Sequence, residues 1–402
     1  VKICLVHNSY GRRSGEEVAV DGLRDALRAG GHRVVPFFKS NETLYEHPLT
    51  RIDAFFSGIY SAAARREVAA LLDAEAPDLV HINNLFPLIS PSNLEETRRR
   101  GVPAVMTLHN FRLLCPTGLL FSHGDVCHRC IGGREWWCAL RNCTGERARS
   151  VGYAVRSAVA RIRNTFALAI DRFIAPSAFL KAIHVEHGWP AERIDVIPYL
   201  VKLNAAPRAV GAAAEYAAYV GRVSPEKGVD TIVEAARACP QIPFRFAGHF
   251  LRMPNVPKSA PTNCEFMGEL AAERVGEFLG RARMTIFASR WYEVAPLSLA
   301  EAMASSKAVV CANIGSLPEF VEDGVTGLLF EPGNARDLAE KVRYLWERPE
   351  LCRRLGEAAR KKALAIFSIE ANYARLMDTY RRAMGKGQKP DAQSPAIGTA
   401  GC

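Results

Sequence analysis

The chain has 402 residues, 49% of them hydrophobic and 23% charged, with a formal net charge of +10. That length accommodates two domains, each able to bury its own core, and the composition excludes a disordered polyelectrolyte. No apolar run reaches the roughly 18 residues of a membrane span, and the positive balance points toward phosphate-bearing partners such as nucleic acid, anionic lipid or nucleotide-linked substrates without choosing among them.

Short apolar runs alternate with amphipathic stretches, the pattern of parallel sheets covered on both faces. The first half offers strands at Lys2 to Val6, Arg33 to Phe37, Leu79 to Ile82, Ala104 to Leu108, Phe173 to Ala175 and Ile194 to Ile197. Val1 to Val6 is too short for a signal peptide, so a cytoplasmic protein, peripheral at most at the inner membrane face, is expected. His7 to Glu17 leaves the first strand and enters a helix near Glu16, which turns amide hydrogens toward any nearby anion. It lacks GxGxxG, so a dinucleotide fingerprint is missing. His81-Ile-Asn-Asn84 and His109 end strands, where side chains face the ligand crevice of such sheets, although a lone histidine is more often structural.

Eleven cysteines are many, and five crowd between Cys115 and Cys143. Cys127-His-Arg-Cys130 and Cys138-Ala-Leu-Arg-Asn-Cys143 form two close pairs in a glycine-rich insert at residues 115–145, a spacing that suits a structural zinc, with Cys115 and His128 as substitute ligands. Disulfides or unliganded thiols are the alternatives. Arg147, Arg149, Arg156, Arg161 and Arg163 then punctuate the apolar-periodic run Val151 to Ala169. It reads as a helix packed on the domain, or as one that docks on anionic lipid.

The pattern restarts near Pro198, after which Tyr216 to Val220, Phe244 to Ala247, Cys264 to Phe266, Met284 to Ala288, Ala308 to Cys311 and Gly327 to Phe330 read as strands. Gly221-Arg-Val-Ser-Pro-Glu-Lys-Gly228 follows the first of them. Its glycines allow close approach of a ligand and its Arg222 and Lys227 can neutralise a diphosphate, although the same loop reads as an ordinary solvated turn. In Arg290-Trp-Tyr-Glu-Val-Ala-Pro-Leu-Ser-Leu-Ala-Glu-Ala-Met-Ala304, Pro296 marks a helix start, so Glu293 falls in a loop and Glu301 on the second turn. Paired carboxylates accept the hydroxyl pairs of sugars and riboses. A surface Glu followed by a helix-face Glu is the plainer reading.

Together with Ala308-Val-Val310, Gly315-Ser-Leu-Pro-Glu319 and Asp323-Gly-Val-Thr-Gly-Leu-Leu-Phe330, that segment resembles the nucleotide-sugar-binding half of family 4 retaining glycosyltransferases. The resemblance covers roughly residues 1 to 384. It implies the GT-B fold: α/β, two doubly wound Rossmann-like domains facing across a cleft, the first spanning 1–198, the second 199–368, with a helix at 369–384 crossing back and a disordered tail at 385–402. It implies that Glu293 holds sugar hydroxyls, Glu301 the ribose, Arg222 and Lys227 the diphosphate, with Gly15 and Leu297 also on the donor side and His109 in the active site. Where the family carries a Gly-aromatic-Gly turn, this chain has Val294-Ala295-Pro296 and loses an amide donor. No cofactor is implied for catalysis, and no Asp-x-Asp pair is present to hold a divalent ion. The implied activity is retaining transfer of a hexose from a nucleoside diphosphate to a glycan or lipid-linked acceptor. Competing readings are a nucleotide-sugar epimerase on the same fold and a zinc-stabilised basic nucleic-acid-binding protein.

Overall fold

A computed structural model describes residues 1–10, 14–42, 60–203, 215–250 and 253–385. The tail expected to be disordered lies, apart from Gly385, outside the described residues, as does most of the Ala-rich stretch before Tyr216.

The chain forms two compact units, one built from Val1–Leu120, Cys127–Val201 and the chain from Ile369 onward, the other from Phe121–Val126 and Lys202–Ser368. The first holds β1 (Lys2–Ser9), β2 (Arg33–Ser40), β3 (Leu79–Ile82) and β4 (Ala104–Thr107). The hairpin of β5 (Phe121–Ser122) and β6 (Asp125–Val126) interrupts it before β7 (Arg172–Ala175) and β8 (Ile194–Val196) complete a sheet ordered β2-β1-β3-β4-β7-β8. Every pair in that sheet is parallel. The helix Gly15–Ala29 begins at Ser14, whose side chain forms a reciprocal capping box with Glu17, and it buries Ala19, Val20, Leu23 and Leu27 at helical spacing. Val20, Leu23 and Leu27 pack on Ile3, Leu5, Leu79 and Val105 of the sheet.

The helix Ile369–Met384 belongs to the same core through Leu376, Tyr380 and Ala383. Polar contacts fix its rotation. Tyr380 bonds His81, the Tyr373 hydroxyl lies 2.8 Å from His32 Nε2, and Thr379 Oγ1 donates to Asp195 Oδ2 at 2.9 Å.

The second unit contains β9 (Tyr216–Val220), β10 (Phe244–Ala247), β11 (Cys264–Gly268), β12 (Ala282–Phe287), β13 (Ala308–Ala312) and β14 (Gly327–Phe330). Their order is β11-β10-β9-β12-β13-β14, again all parallel. This is the doubly wound order in which the first strand lies at the centre and the chain turns back past it. Strand boundaries match the sequence reading to within two or three residues, because most of these strands are buried apolar runs closed by a turn.

The run Val151 to Ala169 is two helices, Arg147–Ile162 and Thr165–Ala169, separated at Asn164, whose φ of +47° stops the first. Arg156, expected among the lipid-facing arginines, is buried at 5% exposure. Its guanidinium lies 4.1 Å from the ring centroids of both Phe86 and Tyr153 and donates to the Pro116 carbonyl at 3.1 Å, so aromatic faces and a peptide oxygen replace water around it.

Candidate active site

In the second unit the strand order reverses between β9 and β12, where open parallel sheets leave a crevice at the carboxyl ends of their strands. The two loops that leave this point carry Arg222 and Lys227 on one side and Glu293 on the other. Arg290 N donates to Glu226 O at 2.9 Å and the Arg290 guanidinium pairs with Asp230 at 3.1 Å, so the loops are tied together. Gly228 has φ of +65°, and a Cβ there would sit 1.9 Å from the Ala288 carbonyl oxygen. Only glycine permits both the conformation and the approach.

Glu293 is 6% exposed, and its Oε1 accepts from Lys227 Nζ at 2.7 Å, Ser289 Oγ at 2.5 Å and Trp291 Nε1 at 2.9 Å. Burial opposes ionisation, but the Lys227 ammonium and these three donors outweigh it and hold the carboxyl below its ordinary range. Lys227 also lies 5.4 Å from the Trp291 ring centroid. The backbone of the Glu293 loop rests on the turn at Gly315, where a Cβ would meet Tyr292 Cα at 2.9 Å. Arg222 is more than half exposed, with Nη2 3.5 Å from Glu226 Oε1, which leaves its guanidinium open to solvent. The geometry thus joins Lys227 to Glu293 directly and places Arg222 on the same loop as Lys227.

Pro296 caps the helix Leu297–Ala304 rather than opening it, and Glu301 occupies the second turn. Glu301 makes no side-chain contact with Glu293, Lys227 or Arg222 among the described residues. Although solvent reaches it, crowding by protein desolvates its carboxyl and raises its pKa. Half-buried Leu297 is the first residue of that helix. Sequence reasoning missed Ser289 and Trp291. The only signal available was an indole two residues before the glutamate.

In the first unit His109 lies two residues past β4, its ring stacked on Tyr199. Nδ1 is 3.1 Å from the Tyr199 hydroxyl and Nε2 2.8 Å from Asn83 Oδ1. Because that oxygen only accepts, Nε2 carries the proton. Burial, with His7 and His81 nearby, depresses the His109 pKa to about 3, so the ring is neutral near pH 7. Both nitrogens are engaged, which leaves the imidazole no free group for a sugar hydroxyl. His81, expected to face the ligand crevice, is a core residue of β3: Nδ1 meets Tyr380 and Nε2 lies 2.8 Å from Thr107 Oγ1.

Gly15 is the first residue of its helix, but the helix start is already satisfied from within. Ser14 Oγ accepts from Glu16 N, and the Glu17 carboxylate accepts from Ser14 N at 2.9 Å and Tyr10 N at 3.1 Å. A phosphate at this point would compete with Glu17, contrary to the role expected for Gly15. His7 sits between two acids, 3.8 Å from Glu16 Oε1 and 3.8 Å from Glu17 Oε1. Burial pushes the Glu16 carboxyl up to about 8 despite Arg112.

Two family models match, Glycosyltransferase Family 4 over residues 13–204 and Glycosyl transferases group 1 over residues 208–362. Between them they take in both sheets apart from β1, and the Lys227–Glu293 site. The chain belongs to glycosyltransferase family 4. An uncharacterized glycosyltransferase of Methanocaldococcus jannaschii is 33% identical over 143 residues, which is 35% of this chain and 40% of that protein. The alpha-D-kanosaminyltransferase of Streptomyces kanamyceticus is 27% identical over 172 residues, covering 40% of this chain and 44% of the relative. These matches span less than half the length of the curated relatives. Among solved structures, sucrose-phosphate synthase from Thermosynechococcus elongatus superposes with a TM-score of 0.69 at 19% identity, over 96% of this chain and 99% of that one. Anabaena Alr3699/HepE in complex with UDP-glucose gives 0.64 at 17% identity, over 94% and 98%. These likenesses establish the GT-B fold of this family 4 chain.

Cys138 is fully buried, Cys130 is 7% exposed, and Cys143 packs on them with Trp137 and Tyr153. Burial and the neighbouring thiols Cys115, Cys143 and Cys127 push the Cys130 thiol up to about 12. None of these cysteines forms a disulfide, and among the described residues no three His, Cys, Asp or Glu side chains are placed to hold a metal ion. The expected ligand set of Cys127, Cys130, Cys138 and Cys143 therefore does not fit zinc as placed here. Cys130 and Cys138 pack here as small apolar groups with Ala154, Trp137 and Tyr153.

Proposed function

We propose that this chain transfers a hexose from a nucleoside diphosphate to a hydroxyl of a glycan or lipid-linked acceptor, with retention of anomeric configuration, in synthesis of a cell-surface polysaccharide or glycolipid. The observation that carries this reading is the Lys227–Glu293 pair at the point of strand reversal. Lys227 supplies a cation close to where the diphosphate binds, and Arg222 a second, solvent-accessible one. As the glycosidic bond breaks, negative charge gathers on the leaving diphosphate, and fixed cations stabilise that charge without reorganisation. Glu293 has its Oε1 saturated by three donors, so Oε2 is the oxygen that receives sugar hydroxyls. Glu301, whose carboxylate is unpartnered among the described residues, is suited to the ribose diol.

Retention fits a front-face path in which a donor phosphate oxygen takes the acceptor proton, with Glu293 Oε2 holding sugar hydroxyls while Lys227, Ser289 and Trp291 fix its Oε1. Neutral His109 positions the loop after β4 through Asn83 and Tyr199. The uncharacterized Methanocaldococcus glycosyltransferase and the kanosaminyltransferase support glycosyl transfer, and the UDP-glucose complex of the Anabaena protein supports a nucleotide-sugar donor.

The test is a thermal-shift screen of UDP-, GDP- and ADP-sugars, since a ligand that binds only the native state raises the melting temperature. One donor class should stabilise the wild type and fail with Lys227→Met and Arg222→Ala. Release of free nucleoside diphosphate only when an acceptor is added separates transfer from epimerisation. Salt-sensitive RNA or DNA binding that survives Glu293→Ala would favour a nucleic-acid-binding protein instead.

A further inference from the structure

We propose that the helix Arg147–Ile162, with Trp136 and Leu140 of the helix packed beside it, is a docking surface for an anionic lipid bilayer. The inference goes beyond donor recognition and uses none of the residues of the Lys227–Glu293 site. Among the described residues, thirteen large hydrophobic side chains are exposed, and five of them fall between residues 136 and 162: Trp136 at 50%, Leu140 at 69%, Val151 at 45%, Val155 at 42% and Ile162 at 70%. At about 100° per residue, Val151, Val155 and Ile162 lie within an arc of about 40°, so they form one stripe along the helix. The opposite side of the same helix buries Ser150, Gly152, Ala154, Arg156 and Ala160. The stripe is therefore a second apolar face on a helix whose first is already used. The helix Trp136–Leu140 packs against this one and contributes two further exposed side chains.

Charge selects the occupant. Exposed Arg147 and Arg163 flank the stripe, whereas Arg149 faces away from it, donating to the Thr144 carbonyl at 2.6 Å; Glu146, 3.6 Å from Arg149, is the one exposed acid between Cys127 and Asn164. Arg156 and Arg161 contribute nothing to this edge: the first is buried between aromatic rings, and the second is bonded to Glu135 at 2.6 Å. A second copy of the chain would bring the same arginines against themselves across a twofold axis. A nucleic acid would use the cations but leave Leu140 and Ile162 in water. A bilayer with anionic headgroups satisfies both, since arginine stems lie along the apolar boundary while their guanidinium groups reach phosphate. No described helix is long and apolar enough to cross a membrane, so the contact is interfacial.

The test is co-sedimentation of the full chain with vesicles of phosphatidylcholine alone and of phosphatidylcholine mixed with phosphatidylglycerol. The wild type should bind the mixed vesicles, bind the neutral ones poorly, and retain part of its binding as salt rises. Leu140→Ser with Ile162→Ser should lower the partition coefficient about tenfold, and Arg147→Ser with Arg163→Ser about tenfold or more, through separate apolar and electrostatic contributions. Melting temperatures should stay at the wild-type value, because these side chains are exposed. Three results would overturn the proposal: no sedimentation with anionic vesicles at low salt, an apolar double variant that binds as the wild type does, or concentration-dependent dimers that Ile162→Ser abolishes. Nucleotide-sugar stabilisation measured on the same variants should be unchanged, so failure here leaves the donor reading intact.

Discussion

Glu293 concentrates three donors on one carboxylate oxygen, and that geometry makes its partners unequal. Lys227→Met removes the only cation among them and leaves a buried carboxylate with two neutral donors, which should cost about 3 kcal/mol of stability, read from urea unfolding. Glu293→Gln removes the charge that Lys227 faces, but Lys227 is better solvated, so the loss should be smaller. A double-mutant cycle should then return a coupling energy of more than about 1 kcal/mol, and additive effects would contradict a direct pair. Glu16 behaves in the opposite sense. Its pKa is raised to about 8 in the folded chain from an ordinary value of 4.5, so the native state holds its proton more tightly. Between those two values stability should fall as pH rises, and Glu16→Gln should flatten that slope in melting curves taken from pH 4.5 to 8.5. An unchanged slope would show that Glu16 is solvated. Glu293, depressed instead, contributes stability that is present above its unfolded value and is lost as pH falls through the folded one.

At the level of elements, the loop after β9 holds its shape through close approach of backbones. Gly228→Ala forces a Cβ to 1.9 Å from a carbonyl oxygen at a positive φ, whereas Gly132 has φ of +76° with nothing within 4 Å. Gly132→Ala should therefore cost about 1 kcal/mol of strain alone, and Gly228→Ala about 3 kcal/mol or more, with weakened donor binding. Equal shifts in the urea midpoint would show that the loops do not touch. Such elements are readable in one dimension because strands like Val309 to Ala312 are apolar without interruption and helices like Gly15–Ala29 carry a capping residue, a periodic face and a glycine at the end. Glu293, Lys227 and Arg222 were named through the family resemblance of their loops, since the residues alone read equally as a solvated turn and a surface glutamate; the structure brings Lys227 against Glu293. Arg156 was not readable. Its burial depends on Phe86, seventy residues earlier, and a cation in an apolar-periodic helix reads as solvated until its aromatic partners are known. His81 was misread for the same reason, because its partner Tyr380 comes 299 positions later. The cysteines show the reverse limit: spacing suggested a tetrahedral cage, while packing around Cys130 and Cys138 made an apolar cluster.

Across the whole molecule, the chain completes its first unit last. Leu376 and Tyr380 are each 1% exposed and lie on Ile3, Leu5 and Leu79, so a chain ending at Ser368 should leave that core open and fail to accumulate in soluble form. Tyr380→Phe keeps the packing and removes only the bond to His81, for an expected loss of about 1–2 kcal/mol. The proposed function comes down to one central claim, that the second unit grips a nucleoside diphosphate through a lysine set against a buried glutamate, and it is argued from the strand reversal beside Lys227 and the Lys227–Glu293 contact. Calorimetric titration of UDP, GDP and ADP into the wild type and into Lys227→Met tests it most directly. The account predicts saturable one-to-one binding of at least one of the three, weakened tenfold or more in the variant; equal affinity for both proteins, or no binding to either, would contradict it.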